Sequence, residues 1–274
     1  MLGALIIVLR EVVEAGLIIG IVLAATHGIA GRSRWIGLGL LGGLAGASLV
    51  AAFAGAISHA FEGSGQELLN AGVLVLAVIM LTWHNVWMAR HGRELAKEMR
   101  QVGSDVQAGA KPMTALAIVV CVAVLREGSE VVLFLYGVAA SGTSGAALFV
   151  GGILGLLGGA VLSALSYYGL LAIPFRYLFA VTGTLITLLA AGMAAQAVKF
   201  LDMAGFVTIF DTRLWDTSRV LSEGSLPGRI LHTLLGYTDH PTGMQVVVYA
   251  ASLVVMFMLT RAVGRRPVAV ETSR

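Results

Sequence analysis

Leu9-Arg10-Glu11-Val12-Val13-Glu14 and Leu125-Arg126-Glu127-Gly128-Ser129-Glu130 are two copies of one pattern, R-E-x-x-E, each set in the middle of a long apolar run. A charged side chain at the centre of a membrane helix costs about 2.5–3.5 kcal/mol on insertion scales. Three ionisable groups in each of two such runs, with almost no other charge at that depth, mark a functional feature rather than filler. On a helix, the i,i+3 and i,i+4 spacings gather Arg10, Glu11 and Glu14 into a sector about 100° wide, and do the same for Arg126, Glu127 and Glu130. Helices that face each other through these sectors pool four carboxylates and two guanidinium groups. The result is an oxygen-rich chamber, net negative when every group ionises, that suits a hard multivalent cation.

The rest of the chain supplies the membrane setting. Of its 274 residues, 58% are hydrophobic and only 12% charged, against about 25% charged in a soluble domain. The apolar residues come in blocks of spanning length, so we expect an all-α polytopic membrane protein forming one membrane domain over 1–274. Seven spans are expected, at about 2–26, 36–58, 68–89, 113–140, 147–171, 177–200 and 244–262. No basic region precedes the first run, which is expected to stay as a retained first helix rather than a cleaved leader. The 35 glycines, in apolar context, fit close helix packing. Cys121 is the single cysteine, so no intramolecular disulfide is available.

Loop charge gives an orientation. Arg32 and Arg34 follow the first span, and Arg90, Arg93, Lys97, Arg100 and Lys111 follow the third. Arg176 follows the fifth, and Arg261, Arg265, Arg266 and Arg274 close the chain. The loops after the second and fourth spans carry no Lys or Arg. The positive-inside rule then places the N-terminus outside, the C-terminus inside and the long loop 201–243 outside. In that loop, residues from about Ile209 to Leu221 and from Leu226 to Leu235 mix apolar and polar positions, which suits either helices lying on the membrane surface or a lid over the entrance.

A shift of 116 residues lays Leu9-Arg10-Glu11 and Glu14 on Leu125-Arg126-Glu127 and Glu130, and Gly39-Leu40-Leu41-Gly42-Gly43 on Gly155-Leu156-Leu157-Gly158-Gly159. The repeat unit holds three spans, an odd number, so its copies (1–89 and 113–200) are expected to be inverted, with 244–262 as an added seventh helix. Inverted repeats with a polar site at their interface are a recurring plan of secondary transporters.

With these residues in view, the chain resembles the high-affinity iron permease family, which includes fungal ferric permeases and bacterial EfeU-type transporters. The likeness rests on both R-E-x-x-E copies, on Trp83-His84-Asn85-Val86-Trp87-Met88 and on Leu214-Trp215-Asp216-Thr217-Ser218. It implies seven spans, iron import, the motif glutamates as iron ligands, and an external oxidase or iron-delivery protein as partner. Some members are associated with lead, so the likeness alone leaves the metal open.

Glu11, Glu14, Glu127 and Glu130 are therefore the expected metal ligands. A purely structural ion-pair network would be better served by balanced charge, since unpaired buried charge is costly. Arg10 and Arg126 are expected to position the carboxylates. His59, Glu62, Glu67, Asp202, Asp211 and Asp216, with Glu223 and Asp239, are candidates for attracting cations to the outer mouth; solvated loop charge is the competing explanation. His84 is expected to be a packed, hydrogen-bonded residue, with a ligand role as the lesser alternative. The ten methionines are scattered, which argues against a thioether channel. The expected function is a non-enzymatic permease of the cytoplasmic membrane, with no cofactor and no nucleic acid partner, carrying iron in the ferric state. The rivals are the same fold moving lead, manganese or ferrous iron, a membrane-embedded hydrolase, and a metal-binding receptor subunit. The lack of an H-E-x-x-H pattern and the duplication of the mid-depth ligands weigh against the hydrolase.

Overall fold

The computed structural model describes residues 1–60, 66–169, 175–207 and 209–264, with backbone alone at 57–60, 89, 90, 93, 175, 176, 263 and 264. Each expected apolar run is a helix: α1 (Leu2–Ala25), α2 (Arg32–Ala60), α3 (Gln66–Gln107), α4 (Thr114–Ala140), α5 (Gly145–Tyr167), α6 (Phe175–Met203) and α8 (Gly243–Gly264), with the short α7 (Leu226–Leu235) before the last. Five of these helices, α2, α3, α5, α6 and α8, are long and apolar enough to cross a membrane. At 24 and 27 residues, α1 and α4 have the length as well, but each carries an R-E-x-x-E triplet in its middle. The chain is a polytopic helical membrane protein.

Local chemistry sets several helix ends. Ser144 accepts a hydrogen bond from the Ala147 amide at the start of α5. Ser225 does the same for Gly228 in α7, which closes on Gly236 in the left-handed conformation (φ 69°). Glycine meets that backbone requirement without a Cβ clash. Beyond the membrane stretch, α3 runs on through charged residues to Gln107. There the Asp105 carbonyl accepts from the Ala110 and Lys111 amides, and its side chain meets Lys111 Nζ at 2.8 Å. Lys111 and then Gln101 hold the Asp105 carboxyl below its ordinary range.

Packing interleaves the two halves of the sequence. α1 lies along α5, α2 along α4, and α3 along α6. The glycines matched by the 116-residue shift are the contact points. A Cβ on Gly155 would stand 2.6 Å from the Leu5 carbonyl oxygen, and one on Gly43 would stand 2.6 Å from Val124 Cβ. So each motif helix is clasped by the glycine-rich helix of the other half, because only small residues let the backbones come this close.

Two apolar clusters bracket the charged residues. Ile7, Leu74, Leu81, Phe134, Val138, Ile186 and Met193 form one; Val22, Ile36, Val106, Leu116, Val120 and Val124 form the other. The start of α1 therefore meets the end of α4, and the end of α1 meets the start of α4. The two motif helices are antiparallel, with the charged residues between the clusters.

Ile209 to Leu221 does not form a helix. The stretch is turns and extended chain, tied to the segment before α8 by Leu214 N–H to the Pro241 carbonyl, Gly243 N–H to Thr212 and Met244 N–H to Phe210. Tyr237 replaces helical bonding with its own: its hydroxyl donates to the Leu221 carbonyl over 2.8 Å and pairs with Thr217.

Candidate metal centre

The i,i+4 spacing acts within each motif helix as the sequence dictates. Arg10 Nε donates to Glu14 Oε1 over 2.9 Å, and Arg126 Nε donates to Glu130 Oε1 over 3.2 Å. Their settings differ. The side chains of Arg10 and Glu14 are buried, whereas that of Arg126 is 34% exposed and lies 4.1 Å above the Trp87 ring.

The antiparallel crossing of α1 and α4 then brings the acidic groups onto a residue of α3. His84 is buried, and its ring meets Phe134 edge-on at 6.4 Å. Its Nε2 lies 3.4 Å from Glu14 Oε2 and 3.7 Å from Glu11 Oε2, while Nδ1 contacts Glu130 Oε2. One donor atom from each of Glu11, His84, Glu127 and Glu130 fits within 4.8 Å of all the others. Glu14 sits at the edge of this group with one oxygen taken by Arg10.

The polar bookkeeping inside this group is incomplete. Both oxygens of Glu11, one oxygen each of Glu14, Glu127 and Glu130, both ring nitrogens of His84 and Arg10 Nη1 are buried without an aligned hydrogen bond. A buried polar atom left unpaired costs about 1–3 kcal/mol. A single cation in the middle would satisfy several of them together, with hard carboxylate oxygens and one imidazole nitrogen as donors.

A cavity of about 860 Å³ reaches the edge of the cluster at Glu14. Arg10 and Glu14 line its inner end, and Leu17, Ile21, Met88, Leu95 and Thr260 carry it toward the C-terminal ends of α1, α3 and α8. Asn85, which donates to Thr187 Oγ1 over 3.2 Å, also lines it. A second cavity of about 690 Å³, between α1, α3 and α5, shares Leu17 and Ile21 with the first and adds Lys97, Arg100 and Ser163.

The structure thus brings together all four motif glutamates, and His84 with them. His84 is packed, as expected, and both its ring nitrogens face carboxylate oxygens of the motif glutamates. Not every donor at this depth is duplicated, because the 116-residue shift puts Phe200 where a second His84 would be. The signal available in the sequence was a lone histidine in Thr82-Trp83-His84-Asn85, a polar break at the end of an apolar run.

The outer-mouth candidates among the described residues do not join the cluster. Glu67 is half-buried in the first turn of α3, and Asp202 is half-buried near the end of α6. Asp211 and Asp216 are exposed. Bonds from Ser218 hold the Asp216 carboxyl below its ordinary range. Asp239 is buried, accepts from the Glu223 amide over 3.1 Å and contacts His240, so it serves the loop's own structure. The His59 side chain and Glu62 lie outside the described residues.

Residues 1–272 match the profile of the Iron permease FTR1 family. The chain belongs to that family. It is similar to the Ferrous iron permease EfeU of Escherichia coli O6:H1, 34% identical over 268 residues that cover 94% of this chain and 95% of the relative. The protein of that name from Shigella sonnei is 34% identical over 252 residues, covering 90% and 91%. The one from Shigella flexneri is 35% identical over 195 residues, covering 71% and 83%. No solved structure matches the chain. Membership of this family makes it a protein of iron transport across a membrane.

Proposed function

We propose that the chain imports iron across the cytoplasmic membrane, and that the ion passes through the carboxylate cluster built by the two R-E-x-x-E helices. The observation that carries this is the convergence of Glu11, Glu127 and Glu130 within 4.8 Å in a buried, under-paired group. Acidic groups that served only to lock α1 to α4 would be matched by cationic partners, whereas among the described residues four glutamates face two arginines, Arg10 and Arg126, and one histidine, His84.

Seven spans in two inverted three-helix repeats, with the N-terminus outside, give the pathway its direction. The exchange of partners between halves (α1 with α5, α4 with α2) supports the repeat. The cavity leaving Arg10 and Glu14 runs toward the C-terminal ends of α1, α3 and α8, segments followed by or carrying Arg32, Lys97, Arg100 and Arg261. By the positive-inside rule that end would be cytoplasmic, and a cavity leading there suits the exit step of import. An external oxidase or iron-delivery protein would load the opposite face.

For valence, the ferric expectation rests on an all-oxygen donor set. His84 breaks that set, and the relatives carry the name ferrous iron permease. We take ferrous iron as the cargo. Uptake of radiolabelled Fe²⁺ into liposomes containing only this chain tests the reading. Uptake is expected with the native chain and its loss with Glu11→Ala or Glu127→Ala at equal insertion. Liposomes that take up no iron, or carboxylate variants that still transport, would overturn it.

A further inference from the structure

The motif glutamates come in matched pairs, and one donor at their centre does not. His84 reaches the cluster from α3, a helix that carries no motif, and its position in the other half is filled by Phe200. Buried polar side-chain atoms are normally hydrogen-bonded, and a backbone carbonyl or a hydroxyl would serve a histidine kept only for packing. The His84 nitrogens instead point to Glu130 on one side and to Glu11 and Glu14 on the other, and neither has an aligned hydrogen bond. The Phe134 edge fixes the ring plane. Arg10 meanwhile occupies one oxygen of Glu14, so the inner donor set is Glu11, Glu127, Glu130 and His84.

We infer that His84 is a nitrogen ligand of the ion in transit and the residue that makes the pathway prefer Fe²⁺ over harder divalent ions such as Mn²⁺. The inference rests on the iron-permeation reading for its transport half and on this geometry alone for its ligand half. Carboxylate and water donors suit Mg²⁺, Ca²⁺ and Mn²⁺, whereas imidazole suits iron and the later metals. Three carboxylates alone would bind Mn²⁺ and Fe²⁺ with little distinction. One imidazole among them widens the gap in favour of iron.

Iron-edge X-ray absorption of the full chain in lipid nanodiscs, loaded anaerobically with one equivalent of Fe²⁺, tests the ligand half. We expect the outer-shell scattering pattern of imidazole in the native protein and its loss in His84→Gln. A native spectrum without that pattern overturns the inference even if no variant can be purified, and so does a pattern unchanged in His84→Gln. Competition between Fe²⁺ and Mn²⁺ for uptake into liposomes tests the selectivity half. His84→Asp should keep measurable transport while its preference for Fe²⁺ falls about tenfold, the lower end of what even an outer-shell change costs a metal site. An unchanged preference refutes the selectivity role. Absence of uptake by the native chain refutes the permeation reading instead, and the spectrum still decides whether His84 is a ligand.

Discussion

Arg10 Nε and Glu14 Oε1 are 2.9 Å apart with both side chains buried, and no other motif pair is as closed. The corresponding Arg126–Glu130 pair is longer, at 3.2 Å, and its guanidinium reaches the surface over Trp87. The same three letters, R-E-E, thus make one interior ion pair and one half-exposed pair.

That difference predicts unequal mutants. Removing one partner of a buried pair strands a charge and costs about 3–5 kcal/mol, whereas half-exposed pairs contribute about 0–1 kcal/mol. Arg10→Met should therefore lower the unfolding temperature in detergent far more than Arg126→Met. Equal losses measured by thermal denaturation would show that burial does not separate the two.

The glycine clasps give a second contrast. A Cβ on Gly155 would stand 2.6 Å from the Leu5 carbonyl oxygen and 2.9 Å from the Leu9 amide nitrogen, backbone atoms that cannot swing aside; one on Gly152 would meet nothing within 4 Å. Overpacking of this kind costs about 1–3 kcal/mol. Gly155→Ala should push α1 away from α5, lowering both thermal stability and iron uptake, while Gly152→Ala leaves both intact. Parity between the two variants would mean the helices slide apart without consequence.

How far these features could be read in advance depended on whether they were local. Helix runs, the i,i+4 pairs Arg10–Glu14 and Arg126–Glu130, and the glycine repeat all follow from spacing along one segment. So does the gathering of four glutamates, once α1 and α4 are taken as antiparallel. The place of His84 beside the glutamates was not legible, because nothing near it in sequence tells which of its neighbours across α1 and α4 it will meet. The segment Ile209 to Leu221 failed for a related reason. Its apolar and polar residues suit a surface helix, but bonds to Pro241, Asp239 and Tyr237, more than 15 residues away, take its backbone groups first.

Those long-range bonds make a third prediction. The Tyr237 hydroxyl donates to the Leu221 carbonyl over 2.8 Å and pairs with Thr217, joining the turn-rich stretch to the end of α7. Tyr237→Phe removes only that hydroxyl, at a net cost of about 0.5–1.5 kcal/mol. The loop should become more susceptible to added protease in intact vesicles, with cleavage between 209 and 225, while Fe²⁺ binding is unchanged. Unaltered cleavage would place the loop's order in other bonds.

Glu14 and Glu11 are neighbours on one helix face and should nonetheless fail differently. Glu11 has neither oxygen in an aligned hydrogen bond and belongs to the inner donor set. Glu14 gives one oxygen to Arg10, turns the other toward His84 and lines the cavity that leads away from the cluster. On the proposed import pathway, an ion leaving the inner donors toward that cavity would meet Glu14 next. Glu11→Gln should therefore weaken Fe²⁺ binding by about 10–100-fold or more, the range seen when a site's supporting shell is altered. Glu14→Gln should bind Fe²⁺ to within about tenfold of the native protein by that same scale and yet lose most of its transport rate. Equilibrium binding in nanodiscs beside initial uptake rates in liposomes separates the two. If Glu14→Gln loses binding as completely as Glu11→Gln, then Glu14 is an inner ligand whose bond to Arg10 must open when the ion arrives.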